Sequence, residues 1–210
     1  FLPSGTSIYA LTFDPNGTLW IATSDLINAI LSIDVSGAMN KSDLSFPGDD
    51  YIISLGADQS GAVYCLSGYS GICVLENGSS SMMAEIDSSG EYPDFEAMLI
   101  EPSGKVWTAP RWKGWIAVSQ GNEWRKRSIP NSHIVSNDVN CINIDNTGTV
   151  WVGTGDGLSR YKNNTWTNYT IDNSTLPGSN ISDIAIDGNT VWVGCSWGSG
   201  GNSGIVKING

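Results

Sequence analysis

Asp145-Asn146-Thr147-Gly148-Thr149-Val150-Trp151-Val152-Gly153-Thr154 is the stretch on which the reading of this chain turns. The aspartate side chain can accept hydrogen bonds from the backbone two residues on, and the glycine can take the positive φ that closes a tight turn. The Thr-Val-Trp-Val that follows alternates as a half-buried strand does. Working outward, the residues predict strand A over 139–145, strand B over 149–154, strand C over 157–162 and strand D over 165–171.

The frame repeats. It recurs as Asp14-Pro15-Asn16-Gly17-Thr18-Leu19-Trp20-Ile21-Ala22-Thr23, and again at Ala57–Tyr64, Ile100–Trp107 and Ile186–Trp192. The aromatics Trp20, Tyr64, Trp107, Trp151 and Trp192 are 44, 43, 44 and 41 positions apart. That period is the one expected of propeller blades, roughly 40–45 residues. The expected fold is all-β, a β-propeller of five blade repeats of about 43 residues. Their expected spans are 8–46, 52–92, 95–129, 139–176 and 181–210. Each key aromatic is expected to fill the wedge between neighbouring blades, as core and not as site.

Composition agrees with a short-stranded repeat fold. The chain has 210 residues, 40% of them apolar, with 25 Gly and 9 Trp against only 15% charged. Its net charge of −11 argues against nucleic acid as a partner, because phosphate binding needs cations. It also argues against docking on an anionic membrane surface. No apolar run is long enough to span a bilayer, so no direct membrane insertion is expected of this segment. Residue 1 is Phe, which suggests either a signal already removed or a segment cut from something longer.

The pattern Asp-x-x-Gly-x-Φ-Trp-Φ-Gly-Thr-x-x-Gly-Leu resembles the two-component regulator propeller repeat. Residues 142–161 carry nearly every position and 184–194 match well. The first copy matches at Asp14, Gly17, Trp20 and Thr23. The second and third depart, with Tyr64 for Trp and Pro110 where Thr is usual. The resemblance implies a propeller in a periplasmic or extracellular setting, such as the sensor region of a bacterial hybrid histidine kinase or a stand-alone secreted protein. It names no ligand.

Apolar-Pro linkers lead from each strand D to the next strand A at Phe46-Pro47, Tyr92-Pro93, Ile129-Pro130 and Leu176-Pro177. Phe1-Leu2-Pro3 aligns with such a linker, and Ile205–Gly210 aligns with a strand C. The last blade therefore lacks an obvious fourth strand. Two expectations stay open: a five-bladed ring with a three-stranded or patched last blade, or a piece of a larger propeller. An open blade edge would permit self-association.

Cys65, Cys73, Cys141 and Cys195 occupy slots that other repeats give to small or apolar residues, so they read as buried small hydrophobes. A Cys65–Cys73 bridge across the second B–C hairpin is the alternative in an oxidising compartment. No metal site is expected, since neither Cys-x-x-Cys nor a histidine partner accompanies them, and no cofactor is implied. His133 is the only histidine. Streptogramin lyases are similar in repeat type, but their chemistry uses more than one histidine with an acid, a set this chain cannot assemble.

Propeller topology places the B–C and D–A loops on one face, where ligands commonly bind. The B–C loops offer Asp25, Tyr69, Arg111, Trp112, Lys113, Asp156 and Trp197; the D–A loops add Asp49, Asp50, His133 and Asp138. Tyr69, Arg111, Trp112, Lys113, Asp156, Trp197 and His133 are the candidate ligand-binding residues. Aromatic faces beside carboxylates suit a glycan, a peptide or another small molecule. Arg111, Lys113, Arg125, Lys126 and Arg127 concentrate half of the basic residues around Trp112, Trp115 and Trp124, either as an anion patch or as a solvated outer strand. The functional expectation is a non-catalytic ligand- or partner-binding propeller, with a lyase-like or glycan-processing enzyme, or a structural or self-associating module, as the alternatives.

Overall fold

A computed structural model of the chain describes residues 5–48, 50–83, 95–110, 115–120, 123–128 and 133–209. No helix occurs among them, so none is long and apolar enough to cross a membrane. Among the described residues nineteen strands form five small antiparallel sheets. The first joins β1 (Ile8–Phe13), β2 (Leu19–Thr23), β3 (Ala29–Ile33) and β4 (Met39–Asp43) in chain order. The second joins β5 (Ile52–Ala57), β6 (Val63–Ser67), β7 (Ile72–Glu76) and β8 (Ser79–Met82). The third joins β9 (Phe95–Ile100), β10 (Val106–Pro110), β11 (Trp115–Gln120) and β12 (Glu123–Ser128). The fourth joins β13 (Val139–Ile144), β14 (Val150–Thr154), β15 (Gly157–Lys162) and β16 (Thr165–Tyr169). The last has three strands, β17 (Gly178–Asp187), β18 (Thr190–Gly201) and β19 (Gly204–Asn209). These are propeller blades.

The aspartate turn has a common build. Asp145 Oδ1 accepts the Thr147 and Thr149 amides, both at 2.9 Å, and the Thr147 hydroxyl at 2.7 Å. Its Oδ2 accepts the Trp151 indole N–H at 3.3 Å. Asp14 repeats this with Asn16, Thr18 and the Trp20 indole. In the second blade Tyr64 replaces the tryptophan, and its hydroxyl donates to Asp58 Oδ2 at 3.1 Å. What the sixth position after the aspartate supplies is a large ring with a polar donor at its tip, which Trp and Tyr share. Burial, and then the Asp58 bond, push the Tyr64 phenol up to about 12. Gly148 sits at φ 80°, as the turn requires. In the third blade Glu101 stands at the head of the turn, and its carboxylate meets Lys105 Nζ at 3.1 Å.

The chain divides into two compact units, Phe1–Val106 with Val118–Arg125, and Trp107–Ala117 with Lys126–Gly210. In the first, Ala22, Ile30, Leu44, Ile52, Val63, Cys65, Cys73 and Leu75 form a core to which Trp20 adds its half-buried ring. In the second, Trp151 packs with Leu158, Leu176, Ile181, Ile184, Val191, Val193 and Cys195. Gly153 lets the fourth blade approach the fifth: a Cβ there would lie 2.4 Å from Cys141 Sγ and 2.6 Å from Ile181 Cγ2.

Trp192 corrects the expectation that all five repeat aromatics are core. Tyr64, Trp107 and Trp151 are buried, but Trp192 is 41% exposed. The register explains why. Asn143, Trp151 and Arg160 share the face of the fourth blade that the fifth covers, and Ala185, Trp192 and Lys207 share the matching face of the fifth. Lys207 Nζ lies 5.6 Å from the Trp192 ring centroid.

All four cysteines are free thiols, so the Cys65–Cys73 bridge is not formed. Those two are opposite each other on β6 and β7 and are fully buried. Burial raises the pKa of all four thiols, that of Cys141 to about 12, which keeps them protonated and unreactive. A thiol-exchange reagent at neutral pH is therefore expected to label none of them within minutes on the native protein, and all four after denaturation. Rapid native labelling would show that this packing is wrong.

Candidate functional site

Strand A carries an irregularity in the first, second, fourth and fifth blades. In β1 the register with β2 shifts between Ile8 and Ala10, so Tyr9 stands outside the ladder. Ile53 does so in β5, Asn140 in β13 and Ser182 in β17. A bulge re-aims the extra side chain. In the first unit this brings Tyr9 and Ile53 to the wall of one cleft.

That cleft has a volume of about 420 Å³ and is lined by Tyr9, Asp50, Tyr51, Ile53, Gly68, Tyr69, Phe95 and Glu96. This volume falls in the range of small-ligand sites, roughly 300–1,000 Å³. Tyr9 and Tyr51 meet edge to face, with ring centroids 6.1 Å apart and planes at 82°. Both are about half exposed, and Tyr69 is 66% exposed. Phe95 is buried and Glu96 half-buried.

Asp50 holds the cleft together. The linker sequence suggests a solvated loop acid, yet its side chain is buried. Oδ1 accepts the Tyr51 amide at 2.8 Å, and Oδ2 accepts those of Tyr69 and Ser70 at 2.9 and 3.0 Å. One carboxylate thus fixes two of the three tyrosine-bearing segments. Asn28, at φ 51°, ties the same linker to the first blade. Its amide group donates to the Gly48 carbonyl at 2.8 Å, and its Oδ1 accepts the Asp50 amide at 3.3 Å.

Of the residues marked from sequence, Tyr69 lies on this cleft, whereas Asp156, Trp197 and His133 lie in the second unit. Arg111, Trp112, Lys113 and Asp49 fall outside the described residues. Asp156 is exposed on the β14–β15 turn. His133 is exposed at φ 55°, and its carbonyl accepts the Asn168 side-chain amide at 2.6 Å. Trp197 corrects the reading of a B–C loop: it sits within β18, where Ser196 pairs with Asn180 and Gly201 with Gly178. Its ring is 81% exposed. Arg125 is exposed on β12, an outer strand of the third sheet.

Tyr9 and Tyr51 are the cleft tyrosines that sequence reasoning misses. A bulge shows only in the register against the neighbouring strand, and Tyr51 reads as the residue before a strand. The second unit has its own groove of about 410 Å³ beside β19, lined by Tyr169, Leu176, Val206, Lys207 and Ile208 among others. Tyr169, Leu176, Val206 and Ile208 there belong to or pack against that unit's core. No group of three or more His, Cys, Asp or Glu placed to hold a metal ion occurs among the described residues.

A family model described as "Two component regulator propeller" matches residues 2–25 and 133–156. Among curated protein sequences none matches the chain. The fold is similar to virginiamycin B lyase from Staphylococcus aureus, with TM-score 0.70 and 16% identity over 96% of this chain and 69% of that one. It is similar to the extracellular domain of the putative one component system BT4673 from B. thetaiotaomicron, with TM-score 0.71 and 17% identity over 99% of this chain and 30% of that one. It is also similar to YCF48 bound to D1 peptide, with TM-score 0.68 and 13% identity over 92% of this chain and 62% of that one. At such identities these likenesses establish the fold. The five small sheets are blades of a β-propeller, and residues 2–25 and 133–156 match the two-component regulator propeller repeat.

Proposed function

We propose that this chain is the ligand-recognition part of a signal-receptor-type propeller working in the periplasm or outside the cell, with the tyrosine cleft as its binding site. The observation that carries this reading is convergence. Tyr9 on a bulge, Tyr51 before β5 and Tyr69 on the β6–β7 loop come from separate segments to one cleft. Exposed aromatic faces are costly to leave in water and are what a glycan ring or a peptide side chain stacks upon. The repeat family supports the signalling role, and the extracellular domain of similar fold supports the location. The lyase-like fold alone speaks for catalysis, and the one histidine of the chain does not line the cleft.

A binding screen of glycans and short peptides against the wild type, Tyr51→Ala and Tyr69→Ala tests the assignment. Each truncation is expected to weaken binding by about ten-fold, the scale of a single aromatic hot spot. Trp197→Ala, in the other unit, should leave it unchanged. A ligand whose affinity survives both tyrosine truncations would remove the cleft as the site.

A further inference from the structure

We propose that the outer face of the fifth blade takes the first blade of a second copy of this chain, joining two molecules head to tail. The joint this would form already recurs inside each unit. Strand β5 lies against β1 and β2, β9 against β5 and β6, and β17 against β13 and β14. The first strand of a blade thus covers the first two strands of the blade before it. In the second unit, Ile181, Ile184 and Ile186 of β17 pack with Trp151 and Leu158 of the fourth blade.

Each half of this joint is also present without its counterpart. On the side to be covered, the register places Trp192, Ile205 and Lys207 of the fifth blade where the fourth has Trp151, Leu158 and Arg160. Trp151 and Leu158 are buried, whereas Trp192 is partly exposed and Ile205 is 75% exposed. On the covering side, Ile8, Leu11 and Phe13 of β1 hold the places of Ile181, Ile184 and Ile186 in β17. The three isoleucines of β17 are buried or half-buried, but Ile8 is exposed, and Leu11 and Phe13 are 54% and 67% exposed. Large apolar side chains gathered on one exposed strand mark an interaction surface.

The two faces are unlike halves of one joint, so each fits the other and not itself. Such pairing gives a heterologous contact between copies. It is weaker than the internal joint for a visible reason. Asn143 donates its side-chain amide to the Ile184 carbonyl at 2.9 Å, and Ala185, which offers no side-chain donor, stands at that place in the fifth blade. Association is therefore concentration-dependent, and in dilute solution both faces stay in water.

Sedimentation equilibrium of the whole chain tests this. The mean mass is expected to rise above that of the monomer between about 1 and 100 µM, the range of a modest interface. Phe13→Glu and Ile205→Asp, each at an exposed position, should weaken association about ten-fold or more. Mixed together, these two variants should associate as tightly as the wild type and stop at a one-to-one pair, because each supplies the face the other has lost. Leu11→Glu should behave as Phe13→Glu does. Unchanged melting temperatures in dilute solution show that the variants are folded. A wild type that stays monomeric throughout overturns the proposal, whether the faces meet within one chain or stay open. So does association that survives either substitution, or a mixture in which the two variants remain apart.

Discussion

Trp151→Ala is expected to lower the unfolding free energy by roughly 3–5 kcal/mol, while Trp192→Ala, at the same position of the next repeat, costs under about 1 kcal/mol. Trp151 is 1% exposed and packs in the core of its unit among residues of the fifth blade. Tyr169 stacks on it at 6.4 Å between centroids, and the Arg160 guanidinium lies 5.6 Å from its centroid. Truncation removes that packing and leaves a cavity that the rigid sheets on either side cannot fill. Trp192 is already 41% exposed, with Lys207 over the ring, so its loss removes far less buried packing. Urea denaturation of the two variants measures the difference. Equal destabilisation would mean that the fifth blade's outer face is covered in solution.

Asp145→Ala carries the second large effect, roughly 2–4 kcal/mol. The substitution removes an acceptor for two backbone amides and one hydroxyl, and it strips the Trp151 indole of its acceptor. The same carboxylates make stability depend on pH. Burial alone would raise the pKa values of Asp14, Asp58 and Asp145, but the hydrogen bonds each accepts outweigh it and hold them below the ordinary value. Below about pH 4, the ordinary range of a free aspartate, the unfolded chain therefore binds more protons than the folded one. Their stabilisation is complete above that range and is lost as the pH falls through the lower folded values. The unfolding free energy measured by urea titration should decline steeply below about pH 4. Asp145→Ala should show a shallower decline, and an identical acid slope in wild type and variant would exclude Asp145 as a contributor.

The parts legible in the sequence are those fixed by neighbours along the chain. In the fourth blade the predicted strands over 139–145, 149–154, 157–162 and 165–171 correspond to Val139–Ile144, Val150–Thr154, Gly157–Lys162 and Thr165–Tyr169. Their limits are set by Asp145, Gly148 and other local turn residues, and the hydrogen bonds of Asp145 span six residues or fewer. The environment of Trp192 is not local, because what buries a repeat tryptophan is the following blade. Trp197 is missed for a related reason. Its Gly- and Ser-rich surroundings read as a loop, yet the extended β17 gives them a partner. The cleft is the least legible part. Tyr69 is visible as a loop aromatic, but Tyr9 belongs to a strand and becomes a wall only through its bulge.

That bulge has a consequence for how such a protein diversifies. The residue it sets aside is not counted in the ladder, so the pairs on either side keep their register whatever it is. Within this one chain the position is Tyr9, Ile53, Asn140 and Ser182, a spread of size and polarity that a ladder position facing a core could not bear. Each of these four blades thus contributes a side chain that stands outside the strand pairing. An array of blades can acquire a new ligand by single substitutions at these places while the aspartate turns keep the scaffold unchanged.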